Sequence, residues 1–255
     1  MPTGPLHLVL DVGNTRVKAA LFSGRSVVKH AVLEAAKATD WERWLAGAKP
    51  AAIALAASGE LPEELMEWGA ATAPLFRLTG QSPSLLGTSY ATPHTLGTDR
   101  WADALAAWQL GAGRPCVAID LGTCVTYNIV GPDGVFQGGA ISPGLHMRAR
   151  AMHEQTARLP LVEVDAMPPL VGTDTASSLK SGAFHGVLAE LWGYTNALRQ
   201  QWPDLFVVLT GGDALLFTGH LRSSIFADPL LTLRGLHALL EHQLHHGAGP
   251  AGAGR

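Results

Sequence analysis

An α/β protein in two halves is the fold class that the sequence predicts, and three observations predict it. The first is an imperfect internal repeat. LVLDVGNTRVKAALF at 8–22 returns as VAIDLGTCVTYNIV at 117–130, and at an offset of 109 residues Asp11 falls on Asp120, Gly13 on Gly122 and Val17 on Thr126. The second is an alternation of short apolar runs with segments of helical periodicity. The third is bulk. At about 150 residues per domain, 255 residues fall between one domain and two, and 47% apolar against 15% charged residues supplies a sizeable core.

In each copy of the repeat an apolar run ends in Asp-x-Gly, a polar pair follows, and apolar alternation resumes at once. That is the pattern of a strand, a tight turn and an antiparallel return strand, with glycine supplying the unusual backbone angles. Onward from the first hairpin the pattern predicts a helix over 41–47, a strand over 51–56, a loop over 56–62, and helices over 62–68 and 100–110. Turn residues at 111–115 then separate this half from the second hairpin, which divides the chain into domains 1–112 and 113–255. The second half continues with a helix over 177–200, a strand over 206–209 and a helix over 233–245. The tail 247–255 is nearly all Gly and Ala, with little side chain to pack, and is expected to be disordered, as are the residues before 6.

Charge excludes some partners. Eighteen Lys and Arg against 21 Asp and Glu give a net charge of −3, so no general field draws in a polyanion and no nucleic-acid partner is expected. The start of the chain lacks a basic region, its apolar run 8–10 is short, and no window approaches the ~18 apolar residues of a membrane span. A soluble, cytoplasmic protein with no membrane partner is expected. Cys116 and Cys124 lie eight residues apart without metal-ligand spacing, as free thiols in a reducing compartment do. Four of the 11 histidines crowd the end as His237, His242, His245 and His246. His242 and His246 are an i, i+4 pair that could hold a metal, but no Cys, Asp or inward ligand supports them. A solvated helix end, where His favours the C-terminal dipole, is the expectation. The seven tryptophans read as core and interface residues, with Trp101 and Trp108 on one helix face.

Chemistry concentrates at the turns. A strand running into Asp-x-Gly-Asn-Thr gathers amide N–H groups, small polar side chains and a carboxylate at one point. Asn14 and Thr15 can donate to phosphate oxygens, Gly13 lets the backbone approach closely, Asp11 can hold a hydrated divalent cation, and Lys18 adds a compact positive charge. A plain β-turn accounts for the same string. The motif recurs as Asp120-Leu-Gly-Thr123, and Thr210-Gly-Gly-Asp213 follows a strand near the end, which together make a cleft. A strand-to-helix loop is the other reading of the Gly-Gly turn.

The combination DVGNTRVK (11–18), YATPHTLGTDR (90–100), DLGTCVT (120–126), GGAISPG (138–144), GTDTASSLKSG (172–182) and TGGDA (210–214) resembles type III pantothenate kinase. That family belongs to the acetate kinase, sugar kinase, Hsp70 and actin superfamily. The resemblance runs in order along nearly the whole chain. It implies two actin-like, ribonuclease H-like α/β domains with mixed sheets and an active-site cleft between them. It also implies phosphorylation of pantothenate by ATP to 4′-phosphopantothenate, the first step of coenzyme A biosynthesis, with Mg2+ and a monovalent cation, K+ or NH4+, and a homodimer. The apolar helix 101–110 is compatible with a dimer face.

Residue by residue, the resemblance implies Asp99 as general base and Arg100 as a pantothenate contact, within a substrate set of Tyr90, Gly97, Thr98, Asp99, Arg100 and Thr175. ATP contacts are implied for Asp11, Val12, Gly13, Asn14, Thr15, Arg16, Val17, Lys18 and Thr123, and the monovalent cation for Asp120. A carboxylate can accept the hydroxyl proton and orient its oxygen, and a guanidinium can grip a carboxylate with a fork of donors. The same Asp99-Arg100 pair also fits a helix start, with Thr98 or Asp99 capping a helix that begins near Trp101. Thr173 competes with Thr175, and Asp174 stands where the family more often has Asn. Two rival functions are another small-molecule kinase of the superfamily and a non-catalytic regulator of the same fold.

Overall fold

The structure is a computed structural model, and it describes residues 4–13, 16–34, 38–57, 61–221 and 225–246. The expected tail disorder at 247–255 and the candidate residues Asn14 and Thr15 lie outside the described residues. The chain forms two compact units, one comprising Met1–Ala106 with Leu231–Arg255, the other Ala107–Leu230.

In the first unit β1 (Leu6–Val12), β2 (Arg16–Ser23) and β3 (Ser26–Glu34) form a meander. α1 (Ala38–Leu45), β4 (Ala52–Ala57), α2 (Glu63–Thr72) and β5 (Leu75–Arg77) follow, giving one mixed sheet in the order β3-β2-β1-β4-β5. β1 is the central strand, antiparallel to β2 and parallel to β4, and its run 7–10 is apolar or buried on both faces. Leu8, Leu10, Ile53 and Leu55 pack with Trp41 and Trp68 into this unit's core. A two-residue strand β6 (Gly87–Thr88) and a 3-10 turn at Pro93–Thr95 lead into α3 (Thr98–Leu110).

In the second unit β7 (Cys116–Leu121), β8 (Cys124–Val130) and β9 (Val135–Pro143) repeat the meander. After them come α4 (Leu145–Glu154), α5 (Thr175–Gln201), β10 (Phe206–Thr210), α6 (Ala214–Thr218) and β11 (Ile225–Ala227), with the strands ordered β11-β10-β7-β8-β9. α5 buries Leu179, Phe184, Val187 and Leu191 in a core with Ile119, Tyr127, Leu209 and Phe217. Cys116 is buried and free, as the sequence suggests, and burial pushes its thiol up to about 12.

α7 (Leu231–His246) belongs to the first unit, whereas the sequence division at 112/113 assigns the end of the chain to the second half. Its apolar side packs against β1, β2 and β4. The repeat needs a correction too. β1 and β2 pair Val12 with Val17, whereas β7 and β8 pair Leu121 with Val125, so the second turn is one residue shorter and the offset falls from 109 to 108 beyond it. Val17 therefore corresponds to Val125 and Lys18 to Thr126. His237 also departs from expectation. It is 3% exposed, stacked on Phe22 at 4.2 Å, rather than part of a solvated helix end. In the helix 101–110, Trp101 through Ala107 are buried within the protomer, and Gln109 and Leu110 are exposed.

Sequence reasoning leaves α4, β3 and β9 unassigned. β9 carries Gly138, Gly139 and Pro143, a composition that argues against a strand, and its ladder with β8 holds it extended.

α7 approaches α3 so closely that a Cβ at Gly235 would overlap the carbonyl carbon and oxygen of Ala102. Gly to Ala in an open helix stabilises by about 1 kcal/mol. Here Gly235→Ala is expected to destabilise by about 1–3 kcal/mol, because the overlap forces the helices apart. The urea midpoint measures it, and a midpoint at or above wild type would refute the close approach.

Candidate active site

The first turn closes by a hydrogen bond from the Gly13 amide to the Arg16 carbonyl at 2.9 Å. Register places Lys18 directly opposite Asp11. Asp11 sits half-buried at the end of the central strand, and burial pushes its carboxyl up to about 6. The positive charge of Lys18 opposes that shift and the negative charge of Asp99 adds to it, so Asp11 and Asp99 act on one another electrostatically. Arg16 is exposed, whereas the side chains of Val12 and Val17 are buried in the core, so what those two valines offer a ligand is backbone alone.

The second turn puts Asp120 opposite Thr126, so a hydroxyl stands where the first unit has Lys18. The Gly122 amide donates to the Cys124 carbonyl at 3.1 Å, Thr123 is exposed, and its carbonyl accepts from the Gly144 amide at 3.1 Å. The strand β10 runs parallel to β7 with Thr210 beside Asp120. Gly211 follows at φ +93°, and a Cβ there would overlap the Asp120 carboxylate and the Leu121 carbonyl. The Gly-Gly turn is thus pressed against the second carboxylate, and the Asp213 amide donates to the Leu121 carbonyl at 3.0 Å. Burial raises the Asp213 carboxyl, and His146, 3.5 Å away, opposes that shift. His146 lies on α4, a helix with no clear periodic signal in sequence, and nothing local marks it out.

The start of α3 gathers three of the substrate candidates. The Trp101 amide donates to the Gly97 carbonyl at 3.1 Å, so the helix begins at Thr98 and the position before it is glycine. This corrects the capping alternative: Thr98 and Asp99 are inside the first turn, and Asp99 Oδ1 accepts the Arg100 amide at 2.8 Å. A negative charge in a first helical turn is stabilised by the dipole. A Cβ at Gly97 would overlap Asp99 Oδ1, which fixes glycine there. Arg100 is 7% exposed, its Nη1 is 3.4 Å from the Tyr90 hydroxyl, and its guanidinium carbon lies 5.7 Å from the Tyr90 ring centre. The Trp101 indole N–H donates to the Ser82 carbonyl at 3.0 Å, tying the helix start to the preceding loop.

Thr175 is the first residue of α5, away in sequence from these groups and in the second unit. Asp174 caps the helix, accepting the Ser177 amide at 2.9 Å while its own amide donates to Ser177 Oγ at 3.1 Å. Those hydrogen bonds, the Ser177 amide first, hold the Asp174 carboxyl below its ordinary range. Asp and Asn serve equally as N-caps, so Asp174 in place of Asn leaves the local structure intact. Thr173 and Thr175 both line a cavity of about 490 Å3 with Met152, Gly172 and Ser178. Behind it, Glu190 of α5 accepts from the Tyr127 hydroxyl at 3.1 Å and from Ser142 Oγ at 2.5 Å and pairs with Arg148. This network, rather than any chain-local preference, fixes the segment 138–144.

Two mixed α/β units, each with an acidic turn at the end of a central strand, define a two-unit actin-like fold. Solved structures share it. A Campylobacter jejuni protein described as a candidate Baf family transcriptional activator aligns with TM-score 0.63 at 20% identity, covering 93% of this chain and 99% of the other. Component A of the Acidaminococcus fermentans (R)-2-hydroxyglutaryl-CoA dehydratase aligns with TM-score 0.51 at 15% identity, covering 93% and 99%. Both likenesses concern the fold alone. The model of the type III pantothenate kinase family matches residues 7–197, and the chain belongs to that family. It is 37% identical over 239 residues to the type III pantothenate kinase of Bacteroides fragilis, covering 93% of this chain and 98% of that one. It is also 37% identical to that of Christiangramia forsetii, covering 92% and 98%. No described helix is long and apolar enough to cross a membrane.

A carboxyl raised from 3.8 to about 6 by burial binds a proton more tightly folded than unfolded. The stability it contributes is full below pH about 4 and is lost as pH rises through 6. Asp11→Asn is therefore expected to stabilise the ligand-free protein at pH 7.5, by up to about 3 kcal/mol. The gain should vanish below pH 4. Denaturant midpoints at the two pH values measure it, and an equal or lower midpoint at pH 7.5 would show that Asp11 is neutralised within the fold.

Proposed function

We infer that this chain transfers the γ-phosphoryl group of ATP to the primary hydroxyl of pantothenate, forming 4′-phosphopantothenate in the first step of coenzyme A biosynthesis. The observation that supports this most is the cluster at the start of α3, where Asp99, Arg100 and Tyr90 adjoin one another in a chain of this family. Asp99 takes the hydroxyl proton and orients the oxygen for in-line attack, a role that positioning dominates. Arg100, buried and steadied by Tyr90, grips the carboxylate of pantothenate. Gly97, Thr98 and Thr175 are the further residues of the substrate set.

Asp11, Val12, Gly13, Asn14, Thr15, Arg16, Val17, Lys18 and Thr123 are the contacts for ATP. The fit of a divalent cation to Asp11 rests on one feature: a carboxylate raised to about 6 by burial has more charge desolvated than Lys18 offsets. Mg2+ there supplies charge neutralisation for the phosphates. Asp120 is the carboxylate for the monovalent cation, K+ or NH4+. Exposed Leu161, Met167, Leu170, Val171, Trp192 and Tyr194 all lie in the second unit, Leu170 and Val171 at 72% and 75% exposure. Apolar surface of that extent supports a homodimer formed through this unit rather than through α3. The protein acts in the cytoplasm.

The deciding assay is ATP consumption by the purified chain with and without pantothenate, in potassium and in sodium buffers. Consumption should require pantothenate and should be slower in sodium. Glucose or acetate supporting it equally would favour another small-molecule kinase, and no consumption would favour a regulator.

Asp99→Asn keeps the carboxylate's shape and cannot take a proton, so transfer should fall about 10²- to 10⁴-fold with ATP binding retained. Turnover near wild type in folded Asp99→Asn protein removes Asp99 from the role of base. Arg100→Lys keeps the charge and loses the fork, so the KM for pantothenate should rise on the order of ten- to a hundredfold while that for ATP and kcat stay close to wild type. A kcat loss at unchanged KM would move Arg100 to the transferring phosphate.

A further inference from the structure

At the end of β1 remote from Asp11, His7 meets α7. His7 Nδ1 lies 3.1 Å from His237 Nε2, and His237 Nε2 lies 3.8 Å from Glu241 Oε1. One ligand atom from each of the three residues falls within 4.8 Å of the other two. Zinc holds imidazole nitrogens at about 2.0–2.1 Å, which separates two tetrahedral ligand atoms by roughly 3.3 Å. Two of the three separations, at 3.1 and 3.8 Å, lie near that spacing, and the third is within 4.8 Å. We propose that His7, His237 and Glu241 form a binding site for a divalent transition metal, with Zn2+ the ion that two imidazoles and one carboxylate suit.

Three further observations bear on it. His237, Glu241 and His245 stand at i, i+4 and i+8 along α7, one stripe facing His7, and the charge of His245 acts on His7. The ring of His237 is fixed by stacking on Phe22 at 4.2 Å and 5°, so its nitrogen is aimed before any ion arrives. Burial lowers both His7 and His237 from their ordinary range. In the hydrogen-bonded pair one facing nitrogen carries the hydrogen. A neutral tautomer change moves that hydrogen to the far nitrogen and leaves two lone pairs facing the ion, with no net proton release. Glu241, its side chain 31% exposed, gives the ion a way in from solvent.

The consequence is mechanical. An ion here ties residue 7 to a helix 230 residues further along the chain and fastens α7 to the central strand of the first unit. This site differs from the Mg2+ and monovalent-cation sites in its donors, nitrogen rather than oxygen alone, and should pass over Mg2+.

The test uses the untagged full-length chain, stripped with chelator and titrated with Zn2+ by calorimetry in millimolar Mg2+. Co2+ titration followed by visible absorption gives a second readout. One equivalent of Zn2+ should bind with Kd of about 10 μM or tighter and raise Tm. His7→Gln and Glu241→Gln should each weaken it about 100-fold or more, with circular dichroism unchanged. The His242→Ala/His246→Ala double variant should bind as wild type does. If His7→Gln fails to fold, the part-exposed Glu241→Gln decides alone. Wild-type affinity in Glu241→Gln, no heat at 100 μM Zn2+, or binding lost with His242 and His246 would each overturn the proposal.

Discussion

A carboxylate at the end of a buried central strand is the constraint on which this molecule depends. β1 is flanked by β2 and β4 at its edges and packed by α7 and by the core of Trp41 and Trp68 on its faces, so its end falls where desolvation is strong. Burial of Asp11 at that end outweighs the opposing charge of Lys18 and pushes its carboxyl up to about 6. Ordinary core packing would place an apolar residue there. Asp120 occupies the matching end of β7, so the same arrangement is built twice.

The two copies are alike in register and unlike in balance. Lys18 faces Asp11, while Thr126 faces Asp120, because the second turn is a residue shorter. One strand end thus carries its own cation and the other carries none from its hairpin partner. Under the proposed chemistry this difference gives the two carboxylates different ions, one a divalent cation that a phosphate chain shares and the other a monovalent one. The Gly-Gly turn then presses backbone against Asp120, narrowing what the second carboxylate can hold.

Placement of the remaining groups depends on helix starts. Asp99 lies in the first turn of α3 and Thr175 in that of α5, where backbone amides have no carbonyl partner within the helix and the dipole favours negative charge. Arg100 is almost fully buried, so its charge is held near Tyr90 and not averaged over solvent. Glu190 performs a similar service in the second unit, drawing Tyr127, Ser142 and Arg148 to one carboxylate and so fixing the 138–144 segment on α5. Removing Glu190 would take this shared partner from Tyr127, Ser142 and Arg148 at once.

Much of this was legible in the chain. The repeated Asp-x-Gly, the alternation around it and the apolar helical stripes depend on neighbours a few residues apart, so the hairpins, α3, α5 and α7 could be placed from local pattern alone. The order of motifs from Asp11 to Asp213 identified the family for the same reason, since a motif is local. What the tertiary structure decided depends on residues far apart in sequence. Only strand register showed that the second turn is shorter and that Lys18 corresponds to Thr126. Pairing with β8 made a strand of the glycine-rich β9, and only packing returned α7 to the first unit and buried His237 beside His7, 230 residues away. The sequence by itself determined the two hairpins, α3, α5 and α7 and the motifs at the turns. The tertiary structure decided their partners, because register, burial and charge are set by contacts that no local spacing encodes.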